Sequence, residues 1–287
     1  MKNIPVRQIS KQSQSLKLSD SFSIRGVQQL LRGKDLEQEL HRHDHYYILA
    51  LQKGKGEHVI DFASYKIADH SFFFMRPGQV HQLRLKAGST GYLIQFKADF
   101  YYPRDKASRH LLRRASHKTI CKLDAQKGKK LFPILENMLQ EYTTQQEGYQ
   151  DVIKAHLGIF LIELVRQRQD RKNQPSADSL YHQDRIEELM SLLETHLVQY
   201  KKVSDYADML NLSTYQLNAI TKDALGKTCS ALIDEQIILE SKRYLLSTAN
   251  QVSQIAYHLG YDDASYFTRF FKKHTGYTPE AFRQQFR

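Results

Sequence analysis

A repeat near the C-terminus restricts this chain's fold more than any other feature. Val203-Ser204 recurs as Val252-Ser253, Tyr206-Ala207 as Ile255-Ala256 and Leu210 as Leu259, each 49 residues later. Past the turn the offset becomes 50, pairing Leu217 with Phe267, Lys222 with Lys272, Gly226 with Gly276 and Thr228 with Thr278. The second copy has a turn one residue longer. Each copy parses as helix, tight turn, helix and glycine stop. In the first, Ser204 and Ser213 are placed to cap two helices, Ala207 permits a close helix crossing and Asn211 sits at the turn. In the second, Ser253, Ala256, Gly260 and Asp262 or Asp263 fill those positions. Gly226 and Gly276 supply left-handed residues at the helix ends. Helix-turn-helix units of this form lay their second helix in the major groove of DNA. Between the copies, "CSALIDEQIILESKRYLLSTA" predicts a joining helix of about 30 Å. That approaches the roughly 34 Å of one DNA turn.

The second copy separates core from surface. Phe267, Phe270, Phe271 and His274 share one helix face and predict a core, whereas Arg269 lies off that face. The formal net charge of +11 suggests a polyanionic partner. Yet residues 184–287 hold twelve Lys/Arg against thirteen Asp/Glu, which leaves +12 on the rest of the chain. DNA affinity in the repeat region must therefore come from a few placed cations and helix N-termini.

Upstream the pattern changes. Residues 1–20 are polar and aperiodic, which predicts a flexible arm. From 21 to 120, "HYYILALQ", "GEHVIDF", "SFFFMR" and "TGYLIQFK" are short runs separated by glycines and the Pro77-Gly78 pair, as in a β-sandwich or barrel. "LFPILENMLQEY" has helical spacing, with Pro133 expected to start or kink the helix. "DVIKAHLGIFLIELVRQ" is apolar on most sides and predicts a buried helix. The polar stretch "RQDRKNQPSADS" reads as a linker. The expected division is an arm (1–20), a sheet domain (21–120), helices (121–170), a linker (171–183) and an all-α domain (184–287). No apolar run reaches the roughly 20 residues needed to span a bilayer. The N-terminus has no signal-like apolar region. Cys121 and Cys229 suit neither a disulfide framework nor metal-ligand spacing. A cytoplasmic protein without membrane contact is expected.

The stretch "VSQIAYHLGYDDASYFTRFFKKHTGYTPEAFR" resembles the signature of the AraC/XylS family of bacterial transcription regulators, and the likeness extends over residues 184–287. It implies binding to double-stranded promoter DNA, transcriptional activation with RNA polymerase as partner, and a homodimer held by the helices at about 124–170. By position, Ala264, Ser265, Tyr266 and Arg269 of the second copy would face the groove, with Lys272 and Lys273 on phosphates. In the first copy, Ser213, Tyr215, Gln216, Asn218, Ala219 and Lys222 take the matching places. Arg269 would read guanine, and Gln216 or Asn218 adenine. Ala219 departs from the long polar residue often found there. For Tyr215 and Tyr266, packing at a helix edge is the competing reading.

The β part resembles the cupin barrel that many such regulators carry as an effector domain. The fold class implied is α+β and multidomain: a cupin-like β-barrel with trailing helices, then an all-α domain with two helix-turn-helix motifs joined by a long helix. His41, His43, Tyr47 and Gly54 fit the first cupin element, and Pro77, Gly78 and His81 the second. Position 47 is Tyr rather than Glu, and His70 stands where glycine usually opens the second element. On a strand, His41, His43, His45 and Tyr47 share one face. Together with Phe74 and His81 they form the candidate pocket for a small-molecule effector. No catalytic residue, cofactor or metal is assigned, because the substitution at 47 removes the anionic metal ligand. The alternatives are a ligand-independent dimeric regulator, or a metal-dependent cupin enzyme fused to a DNA-binding domain through His41, His43 and His81.

Overall fold

Residues 46–51 and 72–75 are apolar on successive positions, so both of their faces need cover. The computed structural model, which describes residues 5–9, 21–101, 106–168 and 177–286, supplies it with layers on either side. Chain contacts divide the protein into two compact units near residue 173. The N-terminal unit runs β1 (Val6–Arg7), β2 (Phe22–Gly26), α1 (Val27–Leu31), β3 (Leu36–His43), β4 (Tyr46–Lys53), β5 (Gly56–Ile60) and β6 (Ala63–Ile67). It continues with β7 (Ser71–Met75), β8 (Val80–Leu85), β9 (Thr90–Phe96), α2 (Lys106–His117), β10 (Ile120–Lys122), α3 (Ala125–Thr144) and α4 (Tyr149–Arg168).

These strands form two five-stranded sheets, ordered β1-β3-β8-β5-β6 and β10-β7-β4-β9-β2. The expected closed barrel is thus two sheets, while the overall class, a sheet-rich unit followed by a helical one, is as the sequence implies. One core lies between the sheets, where Tyr47, Leu49, Phe73 and Met75 meet Ile60, Leu83 and Leu85. A second lies behind β4 and β7, where Ile48, Phe72, Phe74 and Phe96 pack on Leu131, Leu135, Phe160 and Leu164 of α3 and α4. Alternation along each strand feeds both cores at once.

Several expectations change. The polar arm contains β1, whose Val6 and Arg7 pair in parallel with Arg42 and His43, and Ile9 is buried; residues 1–4 and 10–20 lie outside the described residues. The exposed main chain of an edge strand gives even a polar segment hydrogen-bond partners. Helix α3 starts at Ala125 behind an Asp124 cap, so Pro133 lies inside it and does not start it. Helix α4 is not buried all round: Val152, Ala155, Ile159 and Ile162 face outward. Of the expected linker, 171–176 lie outside the described residues and 177–183 are already helical.

The C-terminal unit is α5 (Ala177–His196), α6 (Val203–Met209), α7 (Thr214–Leu225), α8 (Cys229–Ser247), α9 (Val252–His258), α10 (Ala264–Thr275) and α11 (Pro279–Phe286). The repeat is visible in its hydrogen bonds. The short helices start one residue before the expected Ser caps. Their entry N–H groups, on Lys202 and Gln251, donate to the side chains of Asp205 and Gln254, which are equivalent across the repeat. Thr228 and Thr278 each accept an N–H three residues on and open α8 and α11. Gly226 and Gly276 end α7 and α10 with φ of 69° and 81°. Asn211 (φ 54°) and Gly260 (φ 75°) make the two turns. A Cβ at Gly260 would stand 2.0 Å from the Val198 carbonyl oxygen, so the second turn tolerates glycine alone.

Candidate nucleic-acid interface and inter-sheet imidazole cluster

In each copy the second helix is amphipathic, and its caps fix which residues point outward. Ser213 Oγ accepts the Gln216 N–H at 3.1 Å, and Gln216 Oε1 accepts the Ser213 N–H at 2.9 Å, a reciprocal capping box. Asp263 accepts the Ser265 N–H at 2.7 Å, and that bond holds its carboxyl below the usual range. Inward, α7 buries Leu217, Ile220 and Thr221, and α10 buries Phe267 and Phe271. Phe270 is half-buried and His274 exposed, so the expected four-residue core face narrows to two phenylalanines.

The outward stripes correspond across the repeat. Tyr215, Ala219 and Lys222 are exposed on α7; Ser265, Arg269 and Lys272 are exposed on α10, each 50 residues later. Gln216 and Tyr266 are likewise equivalent, Lys273 is exposed and Ala264 is half-buried. Tyr215 is 82% and Tyr266 56% exposed, and the Tyr266 ring lies 6.0 Å from that of the buried Tyr261. Asn218 does not belong with them. Its Oδ1 accepts the Cys229 N–H and its Nδ2 donates to the Thr214 carbonyl, both at 3.0 Å, so its amide joins α7 to α8. The adenine-reading role considered for it is withdrawn. Ser213 is occupied by the cap, and Gln216 spends its acceptor there.

In the N-terminal unit, His41 and His43 end β3 in one sheet and Tyr47 lies in β4 of the other. The expected single strand is therefore a crossing. Asp44 and His45 form the corner, and alternation continues through it so that His41, His43, His45 and Tyr47 all point inward and are buried. His81 lies directly opposite His41 in β8. Phe74 does not join them: it faces α3 and α4, and its neighbour Phe73 faces the histidines, 4.7 Å from the His58 ring. Because both faces of β7 are apolar, its pattern does not reveal which residue points which way.

The imidazoles touch. His43 Nε2 and His81 Nε2 are 2.9 Å apart, and His58 Nε2 is 2.8 Å from His81 Nδ1. His41 Nδ1 donates to the Glu39 carbonyl at 2.7 Å, and His43 Nδ1 to the Arg7 carbonyl at 3.2 Å. His45 Nε2 meets the Gln95 amide at 3.0 Å, and Gln95 accepts from Arg25 at 3.2 Å. Burial disfavours the charged form: it holds His41 at about 4, and His43 and His58 at about 3, with His81 also well below its ordinary value. His41, His43 and His81 each offer a nitrogen within 4.8 Å of the others, the geometry of a possible metal-ligand set. His58 and Gln95 were not legible as members, because only non-local strand pairing brings them in. Near the outer edge, Ile24, Arg25, Gln29, Tyr142 and Gln145 help line a cleft of about 370 Å³.

Comparisons with known proteins fit these two units. Residues 31–158 match the family model of the AraC-like ligand binding domain, and residues 206–285 that of a helix-turn-helix domain. The HTH-type transcriptional activator RhaS of Yersinia pestis is 24% identical over 251 residues, covering 85% of this chain and 89% of its own. The uncharacterized HTH-type transcriptional regulator YfiF of Bacillus subtilis is 21% identical over 254 residues, covering 86% and 79%. The solved structure of fatty-acid-bound ToxT from Vibrio cholerae aligns over 92% of this chain and 95% of its own, with 18% identity and a TM-score of 0.42. RhaS and YfiF are both HTH-type transcription regulators by name. With a ligand-binding domain of AraC type ahead of two helix-turn-helix copies, the chain belongs to the AraC family of transcription regulators.

Proposed function

We propose that this regulator reads two successive major-groove boxes with α7 and α10 and activates transcription with RNA polymerase in response to a small-molecule effector. The observation that carries the reading is the pair of equivalent exposed stripes, Tyr215-Ala219-Lys222 and Ser265-Arg269-Lys272. Arg269 reads a guanine through its guanidinium, and Lys272 and Lys273 hold phosphates. Ala219, at the position equivalent to Arg269, offers only a methyl group, so the first box is read less strictly. Replacement of Arg269 by Ala should weaken specific binding by about 1–3 kcal/mol and relax preference at one base. Titrations on the selected site and on single-base variants test this; unchanged affinity and preference would refute the assignment.

The exposed stripe of α4 supports a homodimer. Val152, Ala155, Ile159 and Ile162 recur at three- and four-residue spacing, the pattern of a helix seam that buries itself against a copy. The matched ligand-binding domain and the cleft beside Arg25 support the effector response. Arg25 Nε and Gln145 Nε2 are buried without partners there, and an anionic group would satisfy both. An effector seated between β2 and the end of α3 would act next to the α3–α4 turn and so on the dimer seam. A regulator working on promoter DNA acts in the cytoplasm.

A further inference from the structure

Given the two-box reading, on which this rests, we infer that Lys201 is a positioning residue. Its ammonium ties the entry loop of the first helix-turn-helix to the turn of the second, so that α7 and α10 meet DNA at one fixed spacing. Lys201 lies between α5 and α6. Its Nζ donates to the Val198 carbonyl of that loop and to the Gly260 carbonyl of the α9–α10 turn, both at 2.9 Å. The same Nζ stands 5.1 Å from the centre of the Tyr261 ring, and that ring packs 5.3 Å from Phe267 of α10. Hydrogen bonds from a charged donor are about twice as strong as neutral ones, and a tyrosine face adds attraction for the cation.

The loop is itself anchored to the first copy. The hydroxyl of Tyr206, buried in α6, donates to the Tyr200 carbonyl at 2.8 Å. The N–H groups of Gln199 and Tyr200 donate to the His196 carbonyl at the end of α5. A pull on Lys201 is therefore a pull on the first reader.

Comparison of the copies shows that the turn is adapted to this tie. Asn211 holds the place of Gly260 in the first copy, where it keeps an exposed side chain at a φ of 54°. At Gly260 a Cβ would stand 2.0 Å from the Val198 carbonyl oxygen and 2.6 Å from Lys201 Nζ. The second turn gives up its side chain to admit the loop and its ammonium. Asn250 holds the place of Lys201 in the second copy, and Arg283 of α11 donates to its carbonyl at 2.6 Å. That entry loop is closed within its own copy, whereas the Lys201 contact crosses from one copy to the other. Helix α8 alone would let the two copies rock about it; a second tie removes that freedom.

One added base pair moves the second box by about 3.4 Å and turns it by roughly 35°. A rigid pair of readers cannot follow, and a hinged pair can. The test uses the full-length protein on duplexes with both boxes at the preferred spacing, with one base pair inserted between them, and with a single box. Insertion should weaken wild-type binding about 10-fold, the order of a mismatched base pair, and Lys201→Met binding only about 2–3-fold. On the single box the two proteins should bind alike, which a general loss of stability would not allow. Without DNA, spin labels on Ala224→Cys in α7 and Lys273→Cys in α10, in a Cys121→Ser chain with buried Cys229 left in place, should give one narrow distance distribution. Lys201→Met should broaden it. An insertion penalty or a distance distribution unchanged by Lys201→Met overturns the proposal. A wild type that recognises only one box refutes the two-box reading, and the distance distribution then decides on the Lys201 tie by itself. Should Lys201→Met misfold, a broad wild-type distribution still overturns the tie, and Lys201→Gln is read in the same way.

Discussion

Single residues in the DNA-binding unit divide into those that build the helix-turn-helix and those that use it, and two substitutions separate the classes. Asn218→Ala removes the α7–α8 link, so stability should fall by about 1 kcal/mol in a denaturant titration while base preference is retained. Arg269→Ala should do the reverse. At the second turn, Gly260→Ala forces a positive φ and a backbone collision. Strain alone costs roughly 1–3 kcal/mol there, seen as a lower melting temperature. The caps at Ser213 and Asp263, the glycine stops and the outward Arg269 were legible because each depends on residues within one turn of helix. Asn218 was not: its acceptor is claimed by Cys229, eleven residues away. His58 is the same case in the other unit, drawn to His81 by the pairing of β5 with β8.

At the scale of elements, α4 bears the clearest unassigned load. Its inner face, with Leu157, Phe160, Leu161 and Leu164, is fully buried in the core it shares with α3 and the sheet, while Ile159 and Ile162 face outward. Ile159→Lys with Ile162→Lys should therefore leave the fold intact and convert a dimer to a monomer by sedimentation. A double variant that stays dimeric would place the interface elsewhere. The exposed stripe was hidden in the sequence because the helix is apolar on nearly every side, and periodicity cannot say which apolar face is covered. Strand β7 posed the same difficulty: five buried residues in a row gave no clue that Phe73 meets the histidines and Phe74 the helices. By contrast β3 alternates, and its inward histidines were readable. That the alternation turns a corner between two sheets at Asp44-His45 was not, since no glycine or proline marks the corner.

For the whole molecule, charge and function are unevenly distributed. The net charge of +11 resides outside residues 184–287, which are nearly neutral. Specific binding thus rests on few contacts, and its salt dependence should be correspondingly modest. Each of Lys272→Ala and Lys273→Ala should shallow the slope of log affinity against log salt by about 0.9, with base preference unchanged. In the proposed function, two equivalent but unequal recognition helices, joined by the 19-residue α8 of about 28 Å, read adjacent boxes. Selection of bound sequences from random duplex DNA by the full-length protein tests it most directly. The predicted result is two boxes about 10–10.5 base pairs apart, one with a strong guanine that is lost in Arg269→Ala and the other more permissive. A single box, two boxes without fixed spacing, or a guanine indifferent to Arg269 would contradict it.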